Sequence, residues 1–577
     1  MTSRRTPTRA AARRLRAPAL LAALLAAAGA AACGDVTNLE ERPETFIAPD
    51  RFYQNDAQAA SAVNGVYAPL MTWNGWKQPA QHSVMCDDDQ LLCWNWMGGG
   101  FSGQQAGQWY MQDNSVYTSD YQVVERANQV LANVPKSAGV SEAMKKTAAG
   151  QALFARGFAY FDLVRRYGGV PVRLEPYVQD AQMGAKAREA PEVVWRQAAK
   201  DLREAAALLP ATYAQSNGQG LPRAAAAWGL LAKVYLHMAG DEATGTPLAA
   251  ARAAYLDSAR QAARQAAQDA SARLEPVYMD LFDVDKQNTS PEILFAVQGA
   301  AANNSGSSVT GFFVPRGDCT LVGGCGQGFL SLREDFYRGF EAGDKRVEPN
   351  VAVAMSWEVT QSPVGRVRAL HTDSVAKLRA AGVLVRDQAF KWENWTEGCG
   401  AFGTQYDSIT VRNPATGATT TAVYGVGRPV YTLKYVDRQH LTADQAAANN
   451  FIVLRLADVL LVLAEAENEV DGPTPAAYDA LNRVRARAGL PALAGLTKEQ
   501  FRQAVWAERA HELYGEFQGR FDLIREGRWL EAMNKPSAVA DFAGHGVCRP
   551  RQAYQKLQNI PGRELAANPL LTQNPGY

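Results

Sequence analysis

The chain has 577 residues, with 59 Lys and Arg against 58 Asp and Glu and a formal net charge of +1. That balance argues against a nucleic-acid partner, which calls for a basic face. The length exceeds what one simple hydrophobic core organises, so one large composite domain or two lobes is expected.

Residues 1–32 hold six arginines and no acid, and from Ala17 to Ala32 the chain is almost only Ala and Leu. This apolar run is shorter than the about 20 residues that span a membrane. A basic start, a short apolar core and small residues before a Cys predict a cleaved secretory signal over 1–32. Ala30-Ala31-Ala32-Cys33 resembles a bacterial lipobox, with Ala30 where Leu is usual. The resemblance implies that Cys33 is lipidated and that several acyl chains on it anchor the protein. Without the signal the balance becomes 53 basic to 58 acidic residues, about −5. Residues 33–51 are polar, with Pro43 and Pro49, and read as the lipidated tether.

Helical periodicity dominates two blocks of the remainder, about 52–270 and 450–530. In the first block one stripe is Val123, Val124, Ala127, Val130, Leu131 and Val134, and the next is Leu153, Phe154, Phe158, Phe161 and Leu163. Two more follow around Val194–Leu209 and Leu230–Met238, with Pro135, Pro171, Pro210 and Pro247 near the breaks. Ile452, Leu456, Val459, Leu460 and Leu463 form the stripe expected to open the second block. Residues 271–449 between the blocks are rich in Gly, Thr, Asn and aromatics, which predicts long loops and a few short strands such as Ile293–Val297. A tail follows over 531–577. The expected fold is mostly α: helix pairs stacked in a tetratricopeptide-like scaffold that carries a loop-rich, aromatic-rich binding lobe.

Six cysteines lie beyond Cys33: Cys86, Cys93, Cys319, Cys325, Cys399 and Cys548. In an oxidising compartment an even number suggests disulfides. Cys86–Cys93 and Cys319–Cys325 could staple short loops, and Cys399–Cys548 would close a long one. Zinc is the rival reading, but no Cys-x-x-Cys pair or clustered His supports it.

Five segments in order resemble the SusD/RagB family of surface lipoproteins. The first is Phe52-Tyr53 with Ala62-Val63-Asn64-Gly65-Val66-Tyr67, and the second is Arg156-Gly157-Phe158-Ala159-Tyr160-Phe161-Asp162-Leu163 with Tyr167-Gly168-Gly169-Val170-Pro171. The third is Arg455-Leu456-Ala457-Asp458-Val459-Leu460-Leu461 with Ala464-Glu465-Ala466. The fourth is Glu508-Arg509, Glu512-Leu513, Glu516, Arg520 and Asp522-Leu523 with Arg525. The tail Ile560-Pro561-Gly562-Arg563-Glu564-Leu565 with Asn568-Pro569 through Gly576-Tyr577 is the fifth. Many members carry Gly after the third Glu of the fourth motif and Arg two positions on; this chain has Phe517 and Gly519, and Arg520 is expected to replace that Arg. The acids of the fourth motif read as scaffold, with Glu508, Glu512 and Glu516 on one helix face and Arg509 and Arg520 paired to neighbouring acids. Asp162 and Arg165 suit ion pairs between helices.

The resemblance implies a SusD-like domain over 52–577 that captures oligosaccharide without chemistry. It further implies delivery to a SusC-like TonB-dependent transporter, at the cell surface of the outer membrane. Sugars offer apolar faces and hydroxyl edges, so stacking aromatics among polar side chains are the expected site. Trp73, Trp76, Trp94, Asn95, Trp96 and Trp109 with Asp88 form the first candidate group. Trp94-Asn95-Trp96 is its sharpest element, since an extended chain presents both indoles on one side. Phe312, Trp357 and Trp392 are the candidates in the central region, and core packing is the competing reading for every aromatic named. No cofactor is expected; calcium at Asp87-Asp88-Asp89 or Asp283-Val284-Asp285 is weighed against solvated loop acids. The alternatives are peptide capture within the same family, a surface glycoside hydrolase pairing Asp87–Asp89 with Glu393 or Glu397, and a non-catalytic helical adaptor.

Overall fold

The computed structural model describes residues 52–72, 75–76, 87–93, 115–177, 185–213, 220–240, 251–300, 306–313, 330–333, 336–337, 339–347, short pieces between 353 and 387, 407–424, 430–437, 447–535 and 551–577. The signal, Cys33 and the tether lie outside them, as do Trp73, Cys86, Trp94, Asn95, Trp96, Trp109, Cys319, Cys325, Trp392, Cys399 and Cys548.

The chain is mostly helical with short strands. The first block forms α1 (Asp56–Tyr67), α2 (Ser115–Asn133), α3 (Glu142–Tyr167), α4 (Pro191–Leu208), α5 (Ala224–Gly240) and α6 (Arg252–Ala267). From α2 onward each helix packs on the next, and α1 lies on α2 and α3. The variable region contributes the five-residue α7 (Val309–Phe313). The second block forms α8 (Leu456–Asp471), α9 (Pro475–Arg487) and α10 (Lys498–Leu513). Although the variable region separates the blocks in sequence, α8 packs on α5 and α6 and carries α9 and α10. The result is one continuous succession of paired helices. No helix among the described residues is long and apolar enough to cross a membrane.

Apart from the half-buried Leu131 the predicted stripes are buried, but α3 goes further. From Gly150 to Tyr167 every residue is buried, including Arg156, Asp162, Arg165 and Arg166. A helix enclosed on all sides needs small residues where neighbours come close. At Gly157 a Cβ would lie 2.9 Å from Leu202 Cγ of α4. Ser141 caps the start of α3 by accepting from Met144 N, and Gly168, at φ 72, ends it.

Asp162 pairs with Arg165 (2.7 Å) and Arg166 (2.8 Å) of its own helix, not with another helix as expected. Ile452 also departs from expectation. It belongs to a strand, Phe451–Arg455, paired antiparallel with Ile293–Val297, and the helix starts only at Leu456. The run Phe451-Ile452-Val453-Leu454 is aromatic and branched, which suits a buried strand more than a helix turn.

The acids of the fourth motif enter a buried charge network. Glu508 pairs with Arg346 (2.6 Å) and Arg485 (3.1 Å). Glu512 pairs with Arg455 (2.5 Å), Arg346 (3.0 Å) and Arg487. Glu516 pairs with Arg455 (2.8 Å) and Lys434 (3.1 Å), but it lies in the turn beyond the end of α10 at Leu513. Arg509 reaches Asp458 (2.9 Å) and Asp522 (3.1 Å), which ties α10 to α8.

The same turn explains the chain's departure from the family pattern. Phe517 has φ 58, the left-handed region that favours the Gly found in many members. Its ring, 4 % exposed, stacks on Phe451 (centroids 5.5 Å apart) and adjoins Phe313 (5.9 Å). Ring burial here outweighs backbone strain. Left-handed backbone costs a non-glycine residue about 1–2 kcal/mol, whereas losing a buried Phe costs about 3–5 kcal/mol. Phe517→Gly and Phe517→Ala should both destabilise, with the Gly variant the more stable of the two by about 1 kcal/mol, the reverse of the usual order. Urea unfolding of both variants measures this; an Ala variant at least as stable as the Gly one contradicts it.

Candidate ligand-binding site

The segment entering Trp94 is strand β1 (Leu91–Cys93), and its base is bolted to the far end of the chain. Asp87 is 1 % exposed. Its carboxylate accepts from Arg520 Nε (2.7 Å) and Arg551 Nε (2.9 Å), and its carbonyl accepts from Trp529 Nε1 (3.1 Å). Arg520 sits on α11 (Gly519–Arg525) and Trp529 opens α12 (Trp529–Asn534). So Arg520 takes an acid of the loop before β1. At Gly519 a Cβ would lie 2.7 Å from Gln90 Nε2 and 2.8 Å from Asp88 Oδ2, so a larger side chain would have to displace these two side-chain ends.

Asp88 does not face open solvent, contrary to its expected ligand role. It is 2 % exposed, and its Oδ1 accepts from Gln90 N and Leu91 N, both at 2.9 Å, which turns the chain into β1. Burial, reinforced by the charge of Asp89, pushes its carboxyl up to about 8 against those two hydrogen bonds. The folded state therefore holds a proton that the unfolded chain releases near pH 4. This contribution to stability is complete below about pH 4 and is lost as pH rises toward 8. Asp88→Asn keeps an acceptor oxygen without the charge, and should raise the melting temperature at pH 9 while changing it little at pH 4. Equal gains at both pH values would contradict a protonated Asp88.

Strand β1 pairs antiparallel with Leu330–Leu332 (β3), and the sheet continues through Val430–Thr432 (β10) to Val353–Met355 (β4). Ile293–Val297 (β2) pairs with Phe451–Arg455 (β11), Trp357–Val359 (β5) with Val367–Ala369 (β6), and Leu384–Asp387 (β7), Asp407–Arg412 (β8) and Thr419–Tyr424 (β9) form a separate sheet. The four-stranded sheet joins the first aromatic segment to the variable central region. Its register separates two candidates, however. Cys93 stands opposite Leu330 and Thr432 opposite Val353 at one end, with Leu91, Leu332, Val430 and Met355 at the other. The chain leaves β1 for Trp94 at the first end and leaves β4 for Trp357 at the second, on opposite edges about 14 Å apart at the usual strand spacing.

Trp76 and Phe312 belong to the core. Trp76 is 2 % exposed and wedged between Phe158 (5.2 Å) and Phe451 (5.1 Å). Phe312, 1 % exposed, lies in α7, where every residue is buried. Neither presents a ring face to an incoming sugar, so for both the packing reading replaces the ligand reading. Both carboxylate oxygens of Asp87 serve guanidinium groups, Oδ2 that of Arg520 and Oδ1 that of Arg551, so it is engaged in a clamp and is not a solvated loop acid. Among the described residues no three His, Cys, Asp or Glu side chains converge on a metal position. The clamp residues Arg551 and Trp529 escaped sequence reading; the unusual placement of Arg520 was their only signal.

Two family models match the chain, one described as starch-binding and associating with the outer membrane over residues 7–236, the other as the SusD family over 329–577. A SusD-like protein P2 of Formosa agariphila is 26 % identical over 94 % of this chain and 96 % of its own length. The fold matches a laminarin-binding SusD-like protein at TM-score 0.66, with 22 % identity over 91 % of this chain and all of the other. It also matches a SusD homolog from Bacteroides thetaiotaomicron at TM-score 0.69, with 21 % identity over 92 % and 98 % of the two chains. With five motifs in order, the same helical scaffold and both halves matched, the chain belongs to the SusD/RagB family.

Proposed function

We propose that this protein captures oligosaccharides at the outer-membrane surface, held there by lipid on Cys33, and passes them without chemistry to a SusC-like TonB-dependent transporter. The clamped strand leading into Trp94-Asn95-Trp96 carries the reading. A stacking platform on a pre-ordered base loses little conformational freedom when ligand arrives. Asp87, held by Arg520 and Arg551, supplies that base. Membership of a family with a starch-binding description and a fold shared with a laminarin-binding protein support a glycan as the ligand. The buried carboxylates of the fourth motif each face guanidinium or ammonium groups, which suits scaffold and not acid–base catalysis.

Native affinity electrophoresis of a soluble form beginning at Gly34, run through gels containing different polysaccharides, tests this. Retardation by at least one glycan is expected, and Trp94→Ala/Trp96→Ala should weaken it at least tenfold, since each stacked ring contributes about 1 kcal/mol or more. Retardation that survives the double substitution moves the site elsewhere. None with any glycan favours peptide capture or the adaptor.

A further inference from the structure

A cavity of about 430 Å3 opens between residues 212–213 and 220–223 on one side and the segment 271–298 on the other. Its apolar patches come from Tyr213, Leu221 and Ile293; Arg223, Arg273, Asn288, Thr289 and Gln298 supply donors and acceptors. No Asp or Glu is among the described residues that line it.

Several of these groups are fixed before any ligand arrives. Asp269 Oδ1 accepts from Ser271 N (2.8 Å) and Oγ (2.6 Å), and Arg223 lies against both Ser271 Oγ and Asp269. Asn288 Oδ1 accepts from Asn450 Nδ2 (2.7 Å), which leaves the amide N–H groups of Asn288 to donate. Asn450 is itself held by Gly299 N (2.9 Å) and by donating its backbone N–H to Gln287 Oε1 (2.8 Å). Arg273 is exposed and has no ion-pair partner among the described residues. The lining thus carries two cations, of which only Arg223 faces a carboxylate.

Mixed amides and hydroxyls match a ring bearing several hydroxyl groups, each both donor and acceptor. A planar guanidinium fork matches a carboxylate or sulfate bidentately. The volume lies within the range of small-ligand sites, about 300–1,000 Å3. We propose that this cavity is a second saccharide site, taking an anionic sugar unit whose carboxylate or sulfate is gripped by Arg273 and Arg223 while Asn288, Thr289 and Gln298 bind its hydroxyls. The site uses none of the tryptophans and does not depend on them.

Isothermal titration of the soluble chain carrying Trp94→Ala/Trp96→Ala isolates this cavity from the aromatic segment. The probes are a galacturonate trisaccharide, a sulfated galactose oligosaccharide, laminaritriose and a glutamate tripeptide. One acidic sugar should bind, weakening as salt rises, and the preferred arm identifies carboxylate or sulfate as the anchor. Arg273→Gln should weaken it about tenfold or more, because hydrogen bonds to charged groups contribute about 1.5–3 kcal/mol. Arg273→Lys should fall between, keeping the charge without the fork. Because Arg273 is exposed, circular dichroism should show both variants folded. The proposal is overturned by equal affinity for laminaritriose, by tighter binding of the tripeptide, by no saccharide binding, or by unchanged affinity in Arg273→Gln.

Discussion

Asp87→Ala is expected to cost about 3–5 kcal/mol, the range seen when one partner of a buried ion pair is removed. Its loss takes from Arg520 and Arg551, both almost fully buried, the carboxylate they share. Arg520 already suffers from burial, which lowers its pKa and is only partly offset by Asp87. The damage should begin locally. Leu523, Ile524, Trp529, Ala532 and Met533 form a small cluster apart from the main core, and Asp87 is an outside group pinning it through Arg520 and the Trp529 indole. Hydrogen exchange should accelerate first at residues 519–534 and 551–557, before the main helices respond. Asp87→Asn keeps an acceptor and should lose less. Asp87→Ala/Arg551→Met should recover part of the loss, because it removes one of the two buried cations that Asp87 balances. Glycan retention should fall along with the local protection, since the clamp fixes the strand that leads into Trp94. An Ala variant with an unchanged unfolding midpoint and unchanged exchange would sink the clamp.

How much of this was visible in the sequence depends on the range of the interactions involved. Helix faces follow from residues three and four apart, so the stripes through Val123–Val134 and Val194–Leu209 could be read directly and, Leu131 apart, are buried. Ile452 fits a helical stripe equally well; what makes it a strand is pairing with Ala296, which periodicity does not contain. Glu516 continues the i, i+4 series on paper, yet the helix has ended at Leu513 and the left-handed residues Gly515 and Phe517 flank it in the turn. The site is harder because its determinants are remote. Asp87 meets partners 433 and 464 residues away, and nothing near it in sequence distinguishes a clamp from a solvated loop acid. Trp76 has the same composition around it as a sugar-stacking indole; Phe158 and Phe451 decide its fate. The cavity lined by Asn288, Thr289 and Gln298 uses residue types that fill any loop, so composition could not single it out.

Glu512→Gln should be the most damaging single substitution in the helical scaffold, again by about 3–5 kcal/mol. One fully buried carboxylate here answers three guanidinium groups, those of Arg346, Arg455 and Arg487. The amide matches its shape and accepts some of the same hydrogen bonds but cannot balance their charge. Asp344 and Glu508 would remain at Arg346, Glu292 and Glu516 at Arg455, and Glu292 at Arg487, yet Glu508 and Glu516 must also answer Arg485 and Lys434. The three guanidiniums hold the Glu512 carboxyl far below the usual carboxylate range, overcoming the burial that would raise it. Because the folded value is depressed, this stabilisation is present above the ordinary pKa of about 4.3 and is lost as pH falls below it. The variant should therefore lie furthest below the parent at pH 7, and the gap should narrow on acidification. Urea unfolding at pH 7 and pH 3.5 measures both points. A gap that stays constant with pH would mean that Glu512 acts through packing alone, and a gap under 1 kcal/mol at pH 7 would mean that the remaining acids can neutralise the arginines without it.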